Sequence, residues 1–434
     1  MFIKNTRIKK LQVAFANWNL FIFVKNIEMT LSELLKNTNL RNFITTRISF
    51  AMCFNMLNTV ISWQVFELTG SYWALGFVGL VVIIPYVITS LFSGYIADTR
   101  DRKTIIILCL FFYAICNFVL FVMNAYYKDV LLDLGIRVIY FILFITGIIR
   151  GFQGPSQSAY VAQLTGSEKY AEVATWLTLT WHIASVGGPA IAGLIYSKYG
   201  VSAVYSVIFI LSVTALIFAI LLPKTPIPIQ NKQESIFESL SKGFGFVLKN
   251  QIILGAISLD MFAVLFGGAV ALIPAFTKEI LLSGPEMLGF LRAAPAVGGI
   301  LVGSYLTQHP PTHNAGRKLL WCVAGFGVCT IIFALSNNYY LSLLALAGTG
   351  GFDNVSMVIR GTISQLYTPD DMRGRVSAVN GIFIGTSNEL GEFESGSAAA
   401  LLGLVPSVVF GGIMTLVTVG ITAKYAPKLR DLSL

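Results

Sequence analysis

The chain is 434 residues long, 55% hydrophobic and only 12% charged, with a formal net charge of +9. A soluble chain carries about 25% charged residues, so two or three soluble domains of this length would lack the charge to cover their surface. High hydrophobicity excludes disorder, and five cysteines in so long a chain exclude a disulfide scaffold, which leaves an all-α polytopic membrane protein.

Residues 1–43 read as a basic cytoplasmic tail. Its apolar stretch at 20–24 is too short to span, and no small-residue cleavage site marks a signal peptide. Met29 precedes a plausible helix start with Thr30, Ser32 and Glu33, which makes it a candidate initiator. A helix needs about 20 mostly apolar residues to cross the hydrocarbon core. Blocks of that kind lie near 46–68, 74–96, 104–124, 136–158, 173–195 and 202–222. Residues 223–250 then form a polar linker with an amphipathic surface helix at 234–249. Six further blocks follow near 251–275, 286–307, 319–336, 341–363, 377–402 and 405–425. None shows the alternation of an outer-membrane barrel strand. The expected fold is twelve transmembrane helices in two pseudo-symmetric six-helix bundles, 44–222 and 251–427, with 428–434 as a cytoplasmic tail.

Lys and Arg are biased to one side, which sets orientation. The tails and the loops on their side hold 22 of the 30 Lys and Arg residues. Both termini are therefore expected in the cytoplasm, and the excess positive charge is a topology signal. Nucleic-acid binding would need a basic stripe with aromatics on a soluble module, and the chain has none. The cysteines (Cys53, Cys109, Cys116, Cys322, Cys329) all fall in apolar spans and read as small core residues.

The two halves resemble each other. Gln163-Leu164 returns as Gln365-Leu366, and Leu75-Gly76-Phe77 returns as Leu288-Gly289-Phe290. Val173, Gly188 and Gly193 return as Val376, Gly391 and Gly396, all at a spacing of 203. Three matches at one spacing favour duplication, and paired repeats around a midplane site are common among secondary transporters.

Three motifs carry a family resemblance. The loop after span two reads Gly94-Tyr-Ile-Ala97-Asp98-Thr-Arg100-Asp101-Arg102-Lys103, with Asp101 where a Gly is usual. Span four carries Arg150-Gly-Phe-Gln153-Gly154. Span five carries Gly188-Pro189-Ala-Ile-Ala192-Gly193, with Ala192 and Ala184 in place of glycines. Over residues 44–427 the chain resembles the major facilitator superfamily. Its exporter branch, which holds enterobactin and macrolide exporters, is similar at Trp63-Gln64-Val65 and at 388–396. Lysophospholipid transporters form a related branch, so the resemblance does not name a cargo.

The resemblance implies roles for these motifs. In the 2–3 loop, Gly94, Asp98, Arg102 and Lys103 would form a conformational latch, with Asp98 facing a helix N-terminus whose dipole favours an anion; the alternative is a turn that anchors topology. In span five, Gly188, Pro189 and Gly193 would form a pivot, or only close packing. Spans one, four, seven and ten would line a central cavity with Asn55, Asn58, Arg150, Gln157, Asp260 and Asp353. Arg150 would bind an anionic cargo group or relay protons, and the two aspartates would attract a cation.

Intramembrane charge is costly and normally faces a partner or a water-filled cavity. Besides Arg150, Asp260 and Asp353, the spans hold Arg360, Arg292, Glu389, Glu392 and Glu394. Glu389 and Glu392 share a helix face. Three acids within six residues of one membrane helix repel each other's charge, so one of them is expected to carry a proton near neutral pH. A static pair of Arg292 with Glu392 or Glu394 is the competing arrangement.

His182 reads as a hydrogen-bonded core residue. His309 and His313 flank two prolines that prevent a shared helix face, so no metal site is expected. No Walker loop, H-E-x-x-H or G-x-S-x-G occurs. Neither enzyme activity nor a cofactor is expected. The reading is a proton-coupled exporter of an amphiphilic small molecule, a siderophore or drug, in a bacterial inner membrane. Its expected partners are cargo, protons and the lipid bilayer, with the chain favoured as a monomer. A lysophospholipid flippase and a non-transporting receptor are the alternatives.

Overall fold

The structure is a computed structural model that describes residues 36–127, 136–225, 236–369 and 372–433, without the side chains of Tyr95, Asp98, 167–171 and 236–240. Met29, most of the basic tail and part of the linker lie outside the described residues. Among the described residues the secondary structure is helical throughout, with no strand.

Among the described residues, ten helices are long and apolar enough to cross a membrane: Tyr72–Gly94, Arg102–Tyr126, Arg137–Gly166, Glu172–Tyr199, Val201–Ile220, Gln251–Ile280, Pro285–Leu306, Ala315–Leu335, Tyr339–Tyr367 and Leu404–Tyr425. Two more, Thr38–Thr69 and Arg373–Leu402, match them in length but are more polar. They occupy the places of spans one and eleven. Span numbers below follow this order, with Thr38–Thr69 as span one and Leu404–Tyr425 as span twelve.

Side-chain caps set several helix starts. Asn37 accepts hydrogen bonds from the N–H groups of Asn39 and Leu40, at 3.1 and 3.2 Å. Asn250 does the same for Ile252 and Ile253, and Asn338 for Tyr340 and Leu341. An N-cap oxygen satisfies a backbone donor that the first turn would leave open. Span one therefore begins eight residues before its apolar block: caps define the helix, whereas apolarity defines only the part that suits lipid. Spans four and five run as one helical stretch broken at Gly166, whose φ of +68° favours a residue without a Cβ.

The chain forms two compact units. Among the described residues, one falls within 28–236 and 270–293 and the other within 237–269 and 294–434. In the first, buried amides tie spans one, three and six. Gln64 Nε2 donates to Asn124 Oδ1 at 2.5 Å, and Tyr205 OH donates to Gln64 Oε1 at 2.6 Å. Asn117 Nδ2 donates to Ser212 Oγ at 3.2 Å. Buried polar groups need such partners because lipid supplies none.

The 270–293 segment, from late span seven to early span eight, groups with the first six spans. Tyr72 donates to Glu279 at 2.6 Å and Ser197 to Glu286 at 2.5 Å. The Lys278 ammonium lies 5.7 Å from the Phe66 ring centre. Span seven changes character near this boundary. Its α-helix ends at Gly267, a 3₁₀ turn covers Ala269–Leu272, and a π-helical turn covers Phe276–Ile280.

The second unit has a core that includes Ile253, Ile257, Leu319, Ile359, Ile363, Val376, Val379 and Leu429. The linker helix Ile236–Lys249 adds Val247 to it. Phe244 of that helix packs on Phe383 of span eleven, with ring centres 5.7 Å apart.

Candidate functional site

The α-helix that opens span seven, Gln251–Gly267, carries one charged residue, Asp260, and it is buried. Span ten carries Asp353 and Arg360, seven residues apart and so on one helix face. Helical side chains lean toward the N-terminus, which carries the long Arg360 side chain back along span ten. It forms an ion pair with Asp260 and a second one with Asp353 at 3.5 Å. Its Nε donates to Ser356 Oγ at 3.2 Å. The side chains of Asp260 and Arg360 are 9% and 12% exposed, whereas that of Asp353 is 44% exposed. The two carboxylates open on a small pocket lined also by Cys322, Phe326 and Phe352. One guanidinium thus faces two carboxylates beside an aromatic-walled pocket.

Arg150 of span four lies against two rings of the first unit. Its guanidinium carbon is 5.1 Å from the Phe54 ring centre and 5.2 Å from that of Tyr86. Attraction to a ring face helps to hold the arginine. Asn55 donates to Ala51 O of its own helix, and Asn58 is exposed. Gln157 is buried and accepts from Arg47 Nη1 at 3.2 Å, a bond between spans one and four. The expected cavity residues thus fall into separate groups: Asp260 with Asp353 in one unit, and Arg150, Asn55 and Gln157 at different contacts in the other. Asn354 packs on span eight near Gly299 and Gly303.

The three span-eleven acids, Glu389, Glu392 and Glu394, are half-buried, and none lines the Asp260–Asp353 pocket. Span eleven meets span seven instead through Gly391, where a Cβ would stand 2.9 Å from Val264 O, and through Ser395, which donates to Gly268 O at 3.2 Å. Arg292 is half-buried and belongs to the 28–236 and 270–293 unit, whereas the three acids belong to the other.

In the 2–3 loop, Arg102 is buried. It donates from Nε to Ala97 O at 2.9 Å and from Nη1 to Ala159 O at 3.1 Å, fastening the loop to span four. Asp101, where the resembling motif has glycine, is the N-cap of span three and accepts from Lys103 N and Thr104 Oγ1. Gly94 is exposed with open space around it. The Asp98 side chain lies outside the described residues.

The span-five glycines make backbone contacts. A Cβ on Gly188 would lie 2.7 Å from Asn55 Cβ of span one. A Cβ on Gly193 would lie 2.5 Å from Pro285 O and 3.0 Å from Gly289 Cα at the start of span eight. Gly289 in turn abuts Pro189 O. Gly391, which matches Gly188 at the repeat spacing, meets span seven as Gly188 meets span one.

Sequence reading counts Arg360 among the intramembrane charges but gives it no partner, although its i+7 relation to Asp353 is visible. It also gives Gln64 no role, and nothing in the spacing of Gln64, Asn124 and Tyr205 points to their network.

Long apolar helices, intramembrane charges and a charged interhelical pocket define a polytopic membrane protein of the transporter class. The chain belongs to the Major Facilitator Superfamily, whose profile matches residues 43–391. Enterobactin exporter EntS of Shigella boydii serotype 18 is 26% identical over 404 residues, covering 90% of this chain and 92% of that protein. The same protein from Escherichia coli O81 matches at the same identity and coverage. Among solved structures, a D-xylose-proton symporter superposes with a TM-score of 0.69 at 12% identity, covering 91% of this chain and all of that one. A bacterial homologue of the iron transporter ferroportin in an outward-facing state superposes with a TM-score of 0.56 at 18% identity, covering 90% and 99%. At these identities the solved structures speak for the fold alone.

Proposed function

We propose that this chain is a proton-driven exporter of an amphiphilic small molecule, a siderophore or drug, that works by alternating access. The observation that carries the cargo class is the likeness to enterobactin exporters over nine-tenths of both chains. The mixed charges of the interior suit a large cargo with several polar groups. Intramembrane carboxylates supply groups able to carry a proton. Under this reading the chain is an inner-membrane protein of twelve spans with both termini in the cytoplasm, and the latch and pivot motifs govern its opening.

One proton moved down 100 mV releases about 2.3 kcal/mol, enough for a cargo gradient of about 40-fold. The test is efflux from proteoliposomes with an imposed proton gradient, using iron-free enterobactin and ethidium as separate cargoes. Gradient-accelerated efflux of either supports the reading, and enterobactin alone narrows it to siderophore export. Equal rates with and without the gradient would overturn proton drive. Movement of lysophospholipid instead of both probes would reassign the cargo to lipid.

A further inference from the structure

The Asp260–Arg360–Asp353 cluster holds two carboxylates and one guanidinium, so with both acids ionised it carries one uncompensated negative charge inside an apolar bundle. Such a charge is costly unless it is neutralised or wetted. The three groups are not equivalent. Arg360 is paired closely with Asp260, and its Nε is committed to Ser356 Oγ. Asp353 stands at 3.5 Å from the same guanidinium, lines the pocket, and has nearly half of its side chain exposed. A proton reaching the cluster through the pocket meets Asp353 on its open side, whereas Asp260 is shielded by its arginine.

We propose that Asp353 is the group that takes up and releases the proton, and that the Asp260–Arg360 pair is its fixed counter-charge. This inference rests on the proton-driven reading and deepens it. Protonation converts the Asp353 carboxylate to a carboxylic acid and brings the cluster to zero net charge. Release restores the single negative charge and with it the attraction to a cation in the pocket. The cycle needs no group beyond the three and a hydrogen ion.

Groups on the surrounding helices are few. The Gln251–Gly267 helix of span seven adds nothing charged besides Asp260, and Lys278 and Glu279 follow in its final π-helical turn. Span nine brings the Cys322 thiol to the pocket wall, with Arg317 and Lys318 about one turn away in its first turn. Span twelve carries only Lys424 and Tyr425, in its last turn. The part of span eight in this unit, 294–306, carries no charge and one tyrosine, Tyr305. Span eleven carries Glu389, Glu392 and Glu394, with Arg373 and Arg375 at its start. It meets span seven at Val264, a pocket-lining residue, and at Gly268, but none of its own residues lines the pocket. The three glutamates are the rival proton carriers, and the experiment sets them against Asp353.

The experiment is infrared difference spectroscopy of the purified full chain in lipid nanodiscs, titrated over the pH range in which it stays folded. The readout is the C=O stretch of a protonated carboxyl group. We expect a titrating band in the wild type and in the triple variant E389Q/E392Q/E394Q. It should vanish in Asp353→Asn and move in frequency in Asp353→Glu, which decides the matter even if the Asn variant misfolds. A wild type without such a band, or a band unaltered in both Asp353 variants, overturns the assignment, as does its loss in the triple variant alone. The measurement uses no cargo, so it is separable from transport. If the band behaves as expected while wild-type export ignores an imposed proton gradient, the site stands and proton-driven export falls.

Discussion

Arg360 satisfies three acceptors at once, so its removal should be felt beyond one lost contact. Arg360→Ala leaves Asp260 buried without its cation, and stranding a buried charge costs about 3 kcal/mol or more. The expected outcome is a marked drop in melting temperature in detergent, whereas Asp353→Asn, which leaves the Asp260–Arg360 pair in place, should melt near wild type. Asp101 offers a finer test. As an N-cap it should cost about 1 kcal/mol when changed to Ala but only a few tenths when changed to Gly. That difference explains how a family position that usually holds glycine accommodates an acid, and hydrogen exchange at the start of span three would read it. At this scale legibility was partial. The spacing along one helix is readable, and so Glu389 and Glu392 share a face, as do Asp353 and Arg360. The pairing of Arg360 with Asp260, a hundred residues away, depends on which helices pack together, and no periodicity within either helix encodes that.

Among the elements, spans five and eight make the tightest test of packing. A side chain at Gly193 would meet Pro285 O and Gly289 Cα, both backbone atoms that cannot rotate aside. Gly193→Val should therefore cost about 3 kcal/mol through forced separation of the helices and abolish transport. Gly361→Ala, with no atom within 4 Å of the added Cβ, should stabilise span ten by about 0.5 kcal/mol through helix propensity. Paired thermal melts of the two variants would check the contrast. The apolar blocks made most of these helices readable in advance, because lipid imposes composition as well as length. Their true starts were less visible, since caps such as Asn37 and Asn338 lie in polar sequence. The 3₁₀ and π-helical form of span seven's second half was not legible, because residue type alone does not select it.

For the molecule as a whole, duplication and the family motifs were legible because they are patterns in sequence. The grouping of the chain into units was not, because 270–293 takes its partners from spans one, two and five rather than from its neighbours in sequence. That segment has a consequence for cutting the gene in two. A break in the linker looks like a natural place to separate the halves, yet the C-terminal fragment would leave with 270–293 and without Tyr72, Ser197 and the Gly193 surface that hold it. Expressed alone, the fragment should be degraded rapidly. Made together in one cell, the two pieces should rescue each other, and co-purification through a tag on either piece would record the reunion.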